Sequence, residues 1–86
     1  MSESQQTPSL EQIREQILQV TRDLLKELGA HEALGRLHLQ ASFEEDLGLK
    51  SFDLVELLIR VETAVGVKLP DHIAEQAGTP AEWAAV

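Results

Sequence analysis

Two apolar stripes at helical spacing constrain this chain more than anything else in it. Leu10, Ile13, Ile17, Val20, Leu24 and Leu28 recur in steps of three and four, the interval that lines side chains along one face of a helix. Leu54, Leu57, Leu58, Val61 and Val65 repeat the pattern. With 86 residues and no Cys, there is no disulfide and no thiolate-bound metal to replace a core. The two helices must therefore bury their stripes against each other and against whatever the intervening segments supply.

Punctuation marks out the elements. Ser9 with Gln12 three residues on, or Thr7 ahead of Pro8, opens the first helix, and Gly29 closes it. Ala30 to Lys50 carries Leu34, Leu37, Leu39, Leu47 and Leu49 without a sustained period. It reads as a long ordered loop pinned to the core, with Ser42 starting a single helical turn and Gly48 turning the chain. Ser51 begins the next helix, Asp53 in its first turn suits the positive end of the dipole, and Gly66 ends it. Val67 to Pro70 is an extended link. Asp71 caps a short helix through Ile73, Ala74 and Ala77, halted by Gly78. Thr79-Pro80-Ala81-Glu82 then reads as a capping box opening a last helix, with Trp83 as its plug in the core. Residues 1–8 are expected to be a flexible N-terminus and residues 9–86 one helical domain.

The charge excludes several functions. Fifteen Asp and Glu face seven Lys and Arg, for a net charge of −8, a field that repels nucleic acid and anionic membranes and favours basic proteins as partners. No apolar run is long enough for membrane insertion, and the start lacks a basic segment followed by an apolar one, so a cytoplasmic home is expected. Residues 41–86 hold nine acids against three bases, whereas residues 1–40 hold six against four. His31, His38 and His72 lack metal-ligand spacing, and Glu44-Glu45-Asp46 lacks the alternating ligands of a calcium loop. Neither a Gly-rich phosphate cradle nor a general base near Ser51 is present, so no catalysis is expected.

Alone, Ser51 reads as a helix cap. Its setting adds to that. Glu45-Asp46-Leu47-Gly48-Leu49-Lys50-Ser51-Phe52-Asp53-Leu54-Val55-Glu56-Leu57 resembles the attachment-site segment of the acyl carrier protein family, in which a leucine-glycine turn leads to an Asp-Ser-Leu motif and an acidic helix. The resemblance continues through Glu62, Gly66 and Leu69-Pro70-Asp71.

This resemblance implies an all-α four-helix bundle of the acyl-carrier type, with three main helices, one short helix and a long first loop. It implies that Ser51 receives 4′-phosphopantetheine from coenzyme A, at a helix N-terminus that favours phosphate. A monomeric, non-catalytic carrier follows, holding acyl or polyketide-type intermediates as thioesters. Its partners would be a phosphopantetheinyl transferase and ketosynthase, acyltransferase or acyl-activating ligase enzymes. The matching docking positions are Lys50, Asp53, Glu56, Ile59 and Glu62. Leu54, Leu58, Val61 and Ile73 would line an acyl pocket or simply form core. Three residues depart from the pattern: Lys50 stands where the family has Asp, Phe52 where it has Leu, and Arg60 interrupts the acidic face. A peptidyl, aminoacyl or D-alanyl carrier fits the same residues. So does an unmodified acidic helical interaction module in which Ser51 is only a cap.

Overall fold

Ser9 decides where the first helix begins. Its Oγ accepts the Gln12 N–H at 3.1 Å while Gln12 Oε1 accepts the Ser9 N–H at 2.9 Å, so two otherwise orphaned donors are satisfied together. The computed structural model describes residues 9–66, 68–70, 73 and 78–85, and the expected N-terminal segment 1–8 lies outside them. Helix α1 runs over Leu10–Glu27. It stops where Gly29 takes φ +74°, a left-handed turn that only glycine enters without a Cβ penalty.

The inward face of α1 is Ile17, Thr21, Leu24 and Leu25, all buried, with Ile13 and Val20 packed beside them. Leu10 and Leu28 lie on the expected angle but stay half exposed, because they sit at the two ends of the helix. Among the described residues Thr21 is the one polar side chain in the core. Its hydroxyl donates to the Ile17 carbonyl at 2.7 Å, which removes the cost of leaving it unpaired.

A single turn of helix, α2 (His31–Leu34), follows at once and buries Ala33. The sequence pattern reads this stretch as loop. One turn cannot display a period, and Ala30 at its start has no side-chain acceptor to announce a cap. The expected turn at Ser42 does form. The Ser42 N–H donates to Asp46 Oδ2 at 2.8 Å, and Ser42 Oγ accepts the Glu45 N–H at 3.0 Å. Ala41, Phe43, Leu47 and Leu49 are buried, so the loop is held by its apolar side chains.

Helix α3 spans Ser51–Val65 and buries Leu54, Leu57, Leu58 and Val61. Gly66, at φ +76°, ends it. The short helix expected over 71–77 lies outside the described residues except for Ile73, which is buried. The last helix, α4 (Pro80–Ala84), begins as expected at Thr79, whose Oγ1 accepts the Glu82 N–H at 3.2 Å. Glu82 in turn reaches the Gly78 N–H at 2.6 Å, one residue earlier than the expected box. Trp83 fills the core, its ring 4.7 Å from that of Phe43.

Every regular element among the described residues is helical, and α1 packs against all three of the others. Backbone bonds join the loop to the last helix: the Phe43 N–H donates to the Gly78 carbonyl at 2.8 Å and the Ala81 N–H to the Leu39 carbonyl at 2.9 Å. A third bond, from the Leu49 N–H to the Phe43 carbonyl at 2.8 Å, carries that order to the doorstep of α3. Among the described residues no helix is long and apolar enough to cross a membrane.

Candidate functional site

Ser51 is exposed and is the first residue of α3. The Leu54 N–H donates to the Lys50 carbonyl at 3.0 Å, so the first helical bond starts at Lys50, whose φ of −100° and ψ of 174° are those of a cap. This corrects the reading of Ser51 as the cap. A lysine has no side-chain acceptor, and the terminus is closed from the other side, by the Asp53 carboxylate accepting the Lys50 N–H at 3.0 Å.

Displaced into the first turn, Ser51 has no backbone donor to serve. Every other hydroxyl among the described residues is engaged. Ser9 and Ser42 accept from Gln12 and Glu45, Thr79 accepts from Glu82, and Thr21 and Thr63 donate to Ile17 and Ile59 carbonyls. Ser51 alone among them makes no hydrogen bond. The N–H groups of Ser51, Phe52 and Asp53 lie ahead of the first intrahelical donor, as the geometry of any helix start requires.

The acids expected to form a docking surface have internal partners. Asp53 is bonded to the Lys50 backbone, and Glu62 Oε2 accepts the Leu69 N–H at 2.8 Å, tying down the turn after α3. Glu56 accepts from Arg60 Nε at 2.8 Å. Arg60 also reaches across to α1, where Glu27 takes two bonds of 2.9 and 2.8 Å from its terminal nitrogens. That fork holds the Glu27 carboxyl below the usual carboxylate value. Glu27 first, and then Glu56, raise Arg60 above its own ordinary value.

What α3 offers to solvent is largely apolar. Phe52 is 65% exposed and Val55 and Ile59 are each 54% exposed, at a spacing of three and four that makes one continuous stripe beginning beside Ser51. Ile59 belongs to the expected docking set, whereas Phe52 and Val55 do not. Their signal was a second helical stripe running opposite the buried one. Leu54, Leu58, Val61 and Ile73, the expected pocket residues, are buried together in the core. A surface cleft bordered by Glu62, Thr63, Gly66 and Lys68 lies at the opposite end of α3 from Ser51. Among the described residues no three His, Asp or Glu side chains come together as a metal site. His38 instead accepts the Gln40 N–H on Nδ1 at 3.1 Å.

An exposed, unbonded serine at the start of an amphipathic helix is a specific arrangement, and comparison with known proteins gives it a context. Residues 11–86 match the family model described as the phosphopantetheine attachment site. Over 70 residues the chain is 41% identical to the acyl carrier protein of Rubrobacter xylanophilus, covering 80% of this chain and 84% of that protein. The chain belongs to the acyl carrier protein family.

Members of this family are carrier proteins, and their prosthetic group is 4′-phosphopantetheine. A phosphodiester-linked group requires a solvent-accessible hydroxyl, and one not committed to a bond within the fold is the freest to react. Ser51 meets that requirement. Its hydroxyl is unbonded, the neighbouring Asp53 carboxylate is turned to the Lys50 N–H, and the nearest basic side chain in sequence is Lys50 itself. An acyl carrier protein is thus built here on α1 and α3, with the loop before α3 fixing where the serine emerges.

Proposed function

We propose that Ser51 is the residue to which 4′-phosphopantetheine is attached, and that the protein carries acyl intermediates between biosynthetic enzymes without catalysing a reaction itself. The observation that supports this best is the hydroxyl census: of the described serines and threonines, Ser51 alone is exposed at a helix start and unbonded. A cap role, which the unmodified-module reading needs, belongs to Lys50 and Asp53.

When attached, the arm supplies the terminal thiol that carries acyl groups as thioesters, a chemistry that a chain without Cys does not otherwise have. The chain's own residues do the rest. Phe43, Leu47 and Leu49 anchor the loop so that Ser51 stands at one end of the bundle. The free N–H groups of the first turn of α3 and its dipole favour a phosphate there. Phe52, Val55 and Ile59 form the contact stripe for a phosphopantetheinyl transferase and for ketosynthase, acyltransferase or acyl-activating enzymes. Negative charge on the same half of the chain steers basic partners toward that stripe and keeps the complexes short-lived. Leu54, Leu58, Val61 and Ile73 are the core side chains between which an acyl tail would be sheltered.

Intact-mass analysis after incubation with coenzyme A and a broad-specificity transferase tests the attachment. One arm on the wild type and none on Ser51→Ala is expected. A wild type that stays unmodified, or a Ser51→Ala variant that still gains the mass, overturns the proposal.

A further inference from the structure

We infer that Lys50 is the built-in counter-ion of the phosphodiester on Ser51, a positioning residue that holds the root of the arm against the start of α3; this rests on attachment at Ser51 as proposed above. For stability alone, Lys50 is poorly placed. It occupies the cap of α3, where Ser, Thr, Asp or Asn would bond a free N–H and where a cation meets the positive end of the helix dipole. Its side chain is exposed and forms no ion pair or hydrogen bond with any described residue.

The nearby acid does not neutralise it, because Asp53 directs its carboxylate to the Lys50 backbone N–H. Arg60, the other base on α3, is already held by Glu27 and Glu56. The uncommitted cation of α3 therefore stands immediately before the uncommitted hydroxyl. A phosphodiester on Ser51 would carry one permanent negative charge and two unesterified oxygens. Its anchoring residue is the next in the chain, with Cα atoms about 3.8 Å apart across a trans peptide, within easy reach of a lysine side chain. Attachment converts an unfavourable cation at a helix start into a charge-assisted hydrogen bond and restrains the first link of the arm.

The test compares melting midpoints before and after loading for the wild type, Lys50→Gln, Lys50→Glu and Lys68→Gln, at about 0.02 M and about 1 M salt. Lys68→Gln matches the loss of charge at the other end of α3. Intact mass first establishes that each loaded sample carries one arm on Ser51. At low salt the rise on loading should be about 1 to 5 °C larger in the wild type than in Lys50→Gln. It should be smaller still in Lys50→Glu, unchanged in Lys68→Gln, and equal for all four at high salt. Loaded samples in which wild type and Lys50→Gln rise equally overturn the pairing alone. A Lys68→Gln variant that loses the excess as fully as Lys50→Gln also overturns it, by reducing the effect to net charge. An arm absent, or found on another residue, overturns the attachment reading and the pairing together.

Discussion

Arg60 on α3 grips Glu27 on α1 through two hydrogen bonds of 2.8 and 2.9 Å, while its Nε holds Glu56 one turn back on its own helix. The two long helices are thereby clasped outside the core as well as within it. Both carboxylates are more than half exposed and the arginine side chain is 30% exposed, so salt screens the clasp. Arg60→Met should lower the melting midpoint at low salt, and the deficit should shrink as salt is added. A deficit independent of salt would assign the effect to lost stem packing.

The same pair has a pH signature. Arg60 lowers the Glu27 carboxyl below its ordinary value of 4.5, so the carboxyl binds its proton more readily in the unfolded chain. Its stabilisation is then fully present above that ordinary value and is lost as pH falls through the lower folded value. The melting difference between wild type and Glu27→Gln should be constant from neutrality down to about pH 4.5 and then narrow on further acidification. A difference that widens toward acid would contradict this assignment.

Ser51→Ala removes a hydroxyl that does no structural work. Its stability should stay within about 0.5 kcal/mol of wild type by denaturant titration. Ser9→Ala, which breaks a true cap, should cost about 1 kcal/mol. Equal costs would mean that Ser51 caps after all.

Glu62 separates a structural bond from a docking charge. Its carboxylate holds the Leu69 N–H, so Glu62→Ala should cost about 1 kcal/mol, while Glu62→Gln, which keeps an acceptor, should cost much less. If the two variants are equally stable, and equally impaired in the rate of modification by the transferase, the charge rather than the bond is what matters.

Phe52→Ala and Ile59→Ala should each leave stability nearly unchanged, because both side chains already face solvent. Each should raise the KM of the transferase about fivefold, equivalent to about 1 kcal/mol of lost contact. A KM that responds to Glu56→Gln but not to Phe52→Ala would return the docking role to the acids.

How much of this was legible in the sequence depended on the range of the interaction. The buried stripes of α1 and α3 and the stops at Gly29 and Gly66 are local periodicities and backbone requirements, and they appear as expected. The α2 turn was too short to show a period. Ser51 and Lys50 compete for one cap position, and composition favours the serine, but the loop geometry upstream delivers the lysine. The clasp joins residues 33 apart in sequence, a pairing that no local pattern encodes, so Arg60 reads as an interruption of an acidic face rather than as its organiser. Phe52 and Val55 were readable as a second stripe, since exposed apolar residues at helical spacing obey the same rule as buried ones.

The bonds from Leu49 to Phe43, and from Phe43 to Gly78, make the start of α3 dependent on residues that are synthesised long after it. Trp83 packs its ring against Phe43, so the last helix buttresses the same approach to α3. Local order beside Ser51 is therefore a property of the whole bundle rather than of the segment that carries the serine.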